Sequence, residues 1–137
     1  ARTLLLTGKI AETPVVSAVF NGHTGLVRDL IRHGADPNED DPEGMSLLSW
    51  AVIANRFELA EALLDMKANI NHVDRFGYTP ALYAATIDYG DTEILELLLE
   101  LGADLSIVTD EGHTALSNAR RFGYPEIVQL LESSIRP

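Results

Sequence analysis

A glycine marker returns every 33 to 35 residues, and this period governs what the chain can fold into. Gly44 lies in Asp41-Pro-Glu-Gly-Met-Ser-Leu-Leu, Gly77 in Asp74-Arg-Phe-Gly-Tyr-Thr-Pro-Ala and Gly112 in Thr109-Asp-Glu-Gly-His-Thr-Ala-Leu. A second marker keeps step with it: Gly34-Ala35-Asp36, Lys67-Ala68-Asn69 and Gly102-Ala103-Asp104. Both series advance by 33 and then by 35, so one two-residue insertion accounts for both. It falls near Ile87, Asp88 and Tyr89, between the two helices of a unit. Units of this size cannot bury an apolar face alone. They are stable only when neighbours stack into a continuous core.

Each unit reads as helix, turn, helix, loop. Thr79-Pro80 is a helix start: Thr caps free amides, and Pro at the first helical position gives up no hydrogen bond. Thr13-Pro14 repeats it, while Ser46-Leu47 and Thr114-Ala115 keep the cap and drop the Pro. Short first helices rich in small residues follow, such as Ala81-Leu82-Tyr83-Ala84-Ala85, and small residues let helices approach closely. Second helices carry apolar periodicity at Leu59, Ala60, Leu63 and Leu64, and again at Ile94, Leu95, Leu97, Leu98 and Leu99. Gly34 and Gly102 then end their helices in left-handed backbone. Lys67 stands in that place in the second unit, at an expected local cost of about 1 kcal/mol relative to Gly. The Asp-x-x-Gly stretches read as tight turns at the tips of extended fingers, with Gly at positive φ.

This pattern resembles the ankyrin repeat. The carriers are Asp74 to Ala85, Ile94-Leu-Glu-Leu-Leu-Leu-Glu-Leu-Gly-Ala-Asp, Thr13-Pro14 with Asn21-Gly-His-Thr-Gly-Leu-Val, and His33-Gly-Ala-Asp-Pro-Asn. The resemblance implies an all-α ankyrin-repeat solenoid of helix-turn-helix units joined by β-hairpin-like finger loops. One domain over 1–137 is expected, with a truncated N-terminal cap at 1–12 and repeats at about 13–40, 41–73, 74–108 and 109–137. Leu4-Leu5-Leu6 reads as the tail of an earlier second helix. Two departures stand out. Asp29 occupies a usually apolar second-helix place, and Arg120 falls where the second alanine of a pair belongs. The last unit also runs out at Leu130-Leu131-Glu-Ser-Ser without a following finger, which reads as a C-terminal cap.

Composition narrows function by exclusion. Asp and Glu number 21 against 10 Lys and Arg, a net charge of −11 that would repel a phosphate backbone and an anionic membrane. No cysteine is present, so disulfides, thiolate metal sites and cysteine nucleophiles are absent. No apolar run approaches the ~18 residues of a membrane span. Gly8-Lys9 lacks the rest of a P-loop, and neither His-Glu-x-x-His nor Gly-x-Ser-x-Gly occurs. His72 and His113 lie on neighbouring fingers, too few ligands for a metal site. His23 reads as a turn residue stabilised by a hydrogen bond, and His33 as a polar group favoured at a helix C-terminus. No catalytic residue, cofactor or metal is therefore expected. The chain begins at Ala1 and not Met, which fits either a processed protein or a piece of a longer one.

The resemblance points to binding. Proteins of this kind contact partners with finger tips and the exposed side of first helices. By position the candidate partner-binding residues are Phe20, Asn21, Met45, Ile53, Arg75, Phe76, Tyr78, Ile87, Tyr89, Glu111, His113, Arg121 and Phe122. Several are large and apolar on a concave face where folding does not require them, with Arg nearby, the chemistry of binding hot spots. Trp50 falls at a usually buried first-helix place. Asn38 and Asn71 read as loop-closing side chains that bridge their turns. The acidic run Glu39 to Glu43 is a solvated loop or an attractant for a basic surface. The expected function is a non-catalytic protein-protein interaction module whose partner has basic and apolar features, with the chain monomeric when free. A cytoplasmic location is expected, or a periplasmic or secreted one if a leader precedes Ala1. Alternatives are an exported bacterial inhibitor or protector of a partner enzyme, and a regulatory or targeting domain of a larger enzyme.

Overall fold

A computed structural model of the chain describes residues 14–38, 44–87, 89 and 91–135, with side chains from residue 17 onward. The expected cap at 1–12, the Thr13 cap and the acidic run at 39–43 lie outside the described residues. Eight helices form within the described residues: α1 (Pro14–Phe20), α2 (Thr24–Arg32), α3 (Leu47–Ile53), α4 (Phe57–Asp65), α5 (Pro80–Thr86), α6 (Glu93–Glu100), α7 (Ala115–Phe122) and α8 (Pro125–Ile135). Contacts divide the chain into two compact units, Ala1–Asn69 and Ile70–Pro137. The fold is of the all-α repeat class that the sequence implied.

The first unit holds α1 to α4. α1 packs on α2 and α3, α4 packs on α3, and α2 packs on α4. The second unit holds α5 to α8, where α5 packs on α6 and α7, and α7 on α8. Alanine at one register of every first helix makes this stacking close. Ala18, Ala51, Ala84 and Ala119 are all buried. Around them the first unit buries Val19, Leu47, Leu48, Leu59 and Leu63, and the second Leu82, Leu95, Leu98 and Leu131. Burying one such side chain contributes about 1.5–3 kcal/mol, and the caps each contribute about 1 kcal/mol, so stacking outweighs local propensity here.

The caps form as the sequence required. Ser46 Oγ accepts from the Ser49 amide at 3.1 Å, Thr79 Oγ1 from Leu82 at 3.2 Å and Thr114 Oγ1 from Ser117 at 3.1 Å. Ser117 Oγ returns the bond by accepting from the Thr114 amide at 2.9 Å, completing a capping box. α2 starts at His23 without a side-chain cap, and the bond that closes the turn there is a backbone one, from the His23 amide to the Ala18 carbonyl at 2.9 Å. His33 Nδ1 lies 2.7 Å from the Asp29 carbonyl, in the last turn of α2, where free carbonyls need donors.

The second helices of the first three repeats end alike. The amides of Ala35, Ala68 and Ala103 reach back to the carbonyls of Leu30, Leu63 and Leu98 at 2.9, 3.0 and 3.0 Å. This closure needs left-handed backbone one residue earlier. Gly34 (φ 113°), Lys67 (φ 76°) and Gly102 (φ 87°) supply it. The lysine therefore carries the strain foreseen for it. The turns within the first, second and fourth helix pairs make a similar demand, met by Gly22 (φ 75°), Asn55 (φ 57°) and Gly123 (φ 73°).

Asn38 and Asn71 close loops across the repeats. Asn38 Oδ1 accepts from the Asn69 amide at 2.6 Å and its Nδ2 donates to the Lys67 carbonyl at 3.2 Å. Asn71 Oδ1 accepts from the Asp104 amide at 2.8 Å. Each asparagine thus ties its loop to the equivalent loop of the next repeat.

Candidate functional site

The first finger of the second unit is built around one buried carboxylate. Asp74 Oδ1 accepts from the amides of Phe76 and Tyr78 at 2.9 and 3.0 Å, and Oδ2 accepts the hydroxyl of Tyr83 on α5. Thr109 does the lesser version in the next finger, its Oγ1 accepting from the His113 amide at 3.1 Å. The two fingers are joined where the Asp110 amide donates to the Phe76 carbonyl at 3.2 Å. These turns hold the tip residues out: Arg75, Phe76 and Glu111 are exposed, Phe76 at 49%.

The residue just before each helix cap behaves otherwise. Met45, Tyr78 and His113 were all placed at finger tips by sequence. Met45 is instead buried, at 7% exposure, and so is not an available contact residue. Tyr78 and His113 are half-buried. The reason is their shared place immediately before Ser46, Thr79 and Thr114, where the chain turns back and an apolar group packs against the first helical turn.

At the ends of the first helices the candidates differ in exposure. In the first unit Phe20 is 49% exposed, its ring 5.8 Å from that of Trp50 and edge-on at 82°. Trp50 is only partly buried, short of the core place expected of it. Asn21 is exposed and donates through Nδ2 to the Ser17 carbonyl at 2.9 Å. Ile53 is half-buried. In the second unit Phe122 is 45% exposed and Arg121 is exposed, while Ile87 and Tyr89 are half-buried. Burial pushes the Tyr89 hydroxyl up to about 12, so it stays neutral well past physiological pH.

Sequence reasoning missed the polar network beneath this surface. Asn118 on α7 is fully buried. Its Nδ2 donates to Thr86 Oγ1 at 3.3 Å and to the Tyr78 hydroxyl at 3.4 Å, and its Oδ1 accepts from Arg121 Nη2 at 3.1 Å. Arg121 Nη1 reaches His113 Nε2 at 3.0 Å. The Tyr78 ring lies 4.9 Å from that of Tyr83, which binds Asp74. One signal was available: Asn118 occupies the helical register of Trp50 and Tyr83. Ser17 shares that register in the first helix, and a buried polar side chain there demands partners. Among the described residues, no buried side-chain nitrogen or oxygen lacks one.

Among the described residues, no three His, Cys, Asp or Glu side chains group as metal ligands, and no helix is long and apolar enough to cross a membrane. What the arrangement offers is a rigid display of aromatic rings and guanidinium groups on paired helices and fingers. That is the chemistry of a helical-repeat interaction module. A family model described as ankyrin repeats (3 copies) matches residues 2–74 and 66–137. The chain belongs to the ankyrin-repeat family, and such repeats mark it as a protein-interaction module.

Relatives carry the same repeats in varied settings. The chain is similar to ankyrin repeat and SOCS box protein 6 of Homo sapiens, 34% identical over 106 residues, covering 73% of this chain and 25% of that protein. It is 28% identical over 130 residues to dauer abnormal formation protein 25 of Caenorhabditis elegans, covering 94% of this chain and 33% of that one. It is 33% identical over 113 residues to palmitoyltransferase AKR1 of Lachancea kluyveri, covering 80% of this chain and 15% of the enzyme. Palmitoyltransferases are matched only through their ankyrin repeats. The chain spans 25% and 33% of the lengths of the first two of these relatives.

Proposed function

We propose that the chain is non-catalytic and binds a protein partner through the exposed ends of its first helices and its finger tips. The observation that carries this is the exposure of large apolar side chains at repeat-defined places: Phe20 at 49%, Phe76 at 49% and Phe122 at 45%. Folding leaves about half of each ring in water, and covering that half by a partner recovers about half of the ~1.5–3 kcal/mol of full burial, roughly 1 kcal/mol each. The net charge of −11 favours a partner surface with basic groups around its apolar patch. A second reading follows from coverage. Relatives three or more times longer use such repeats as one part, so this chain acts equally well as the regulatory or targeting portion of a larger protein.

The test is affinity capture from source extract with single Phe20→Glu, Phe76→Glu and Phe122→Glu variants as controls. Tyr78 is avoided because it binds Asn118, and a charge there would disturb fold and surface together. A protein held by the parent and lost by at least one variant, at unchanged melting temperature, supports the reading. Equal recovery by all four chains refutes the surface.

A further inference from the structure

We propose that Arg121 anchors a carboxylate-recognition subsite, which takes a glutamate or aspartate side chain of the partner protein. The inference rests on the reading that this face binds a protein, and it names one contact within it. In a chain with 21 acidic and 10 basic residues, a cation is readily neutralised from within. Arg120 is: its Nη2 lies 2.6 Å from Glu132. Arg121, the next residue, pairs with no carboxylate among the described residues. Two neutral groups hold it instead, Asn118 Oδ1 at 3.1 Å and His113 Nε2 at 3.0 Å. A guanidinium only donates, so the acceptor in this contact is His113 Nε2.

The holders are themselves fixed. Asn118 is fully buried, and Thr86 and Tyr78 accept from its amide group. The Arg121 Cζ lies 4.9 Å from the centroid of the Phe122 ring. Two of the five guanidinium N–H donors are thereby used and three remain, on a group that is exposed yet held in one orientation. A planar fork with spare donors matches the two oxygens of a carboxylate, and pre-ordering removes much of the entropy lost when an ordinary surface arginine binds. The acidic chain weighs against a doubly charged phosphate and tolerates a single negative charge better. Phe122 beside it, with Tyr124 6.0 Å further on, supplies apolar surface for a neighbouring side chain of the ligand.

The test is a titration of the isotope-labelled chain with N-acetyl-Phe-Glu-amide, read at the arginine Nε–Hε and asparagine Nδ2 NMR signals. N-acetyl-Phe-Gln-amide is the neutral control. The expected result is a saturable shift at Arg121 and Asn118 with Kd on the order of millimolar. The glutaminyl probe is expected to bind at least tenfold more weakly. Arg121→Gln abolishes the response, and Arg121→Lys, which keeps charge but loses the fork, weakens it severalfold while the remaining amide spectrum is unchanged. Equal response to both probes overturns the subsite, and so do equal shifts at Arg28, Arg32 and Arg121. Glutamyl-selective binding at Arg121 with no protein ever captured would leave the subsite standing and refute the proposed function. Capture sensitive to the Phe variants, with no glutamyl selectivity, would do the reverse.

Discussion

Gly77 and Gly112 share a backbone conformation but not a neighbourhood, and alanine at each separates two costs that are usually confounded. Their φ angles are 82° and 85°. An L side chain in this region costs about 1–2 kcal/mol, partly offset by the flexibility that glycine gives the unfolded chain, about 0.4–1 kcal/mol. Gly112→Ala is therefore expected to lose about 1 kcal/mol, because a Cβ there meets nothing within 4 Å. At Gly77 a Cβ would lie 2.6 Å from the Asp110 amide nitrogen and 2.7 Å from its Oδ1. Backbone cannot swing aside as a side chain can. Relief means moving the fingers apart, which gives up the Asp110 to Phe76 hydrogen bond, worth about 0.5–1.5 kcal/mol net, or accepting overpacking of about 1–3 kcal/mol. Gly77→Ala is expected to lose about 2–4 kcal/mol, and Gly77→Val more. Urea unfolding followed by circular dichroism measures both, and melting temperatures should differ by about 4–10 °C between the two alanine variants. If Gly77→Ala matches Gly112→Ala within about 0.5 kcal/mol, the close approach of the fingers is refuted while the positive φ stands.

Three further outcomes follow from the same geometry. Lys67→Gly should stabilise the chain by about 1 kcal/mol in urea unfolding, since φ 76° suits glycine and the closing bonds are made by backbone. Asn38→Ala should destabilise by about 1 kcal/mol and speed hydrogen exchange at the Asn69 amide, which loses its acceptor. Tyr89 should titrate near 12 in an ultraviolet absorbance titration compared with Tyr89→Phe. Its unfolded form loses the proton at about 10, so its contribution to stability is full below that value and declines as pH rises toward 12.

What the sequence determined by itself is the local grammar of the repeat. The caps at Ser46, Thr79 and Thr114, the left-handed places at Gly34, Lys67 and Gly102, and the buried alanines of the first helices depend on chemistry within a few residues. Those signals therefore survive reading one unit at a time. Tertiary structure decided what each place became. Met45, Tyr78 and His113 share a position before a cap, yet one is buried and two are half-buried. Asn38 and Asn71 find their partners in loops 29 to 33 residues away. Gly77 is confined by a neighbouring finger and Gly112 is not, though both turns read alike. Asn118 owes its burial to α5 and the Tyr78 finger, and through it Arg121 is fixed. In a repeat protein the backbone of a unit follows from its own residues, but the burial and partners of its side chains belong to the next unit along, which no single period contains.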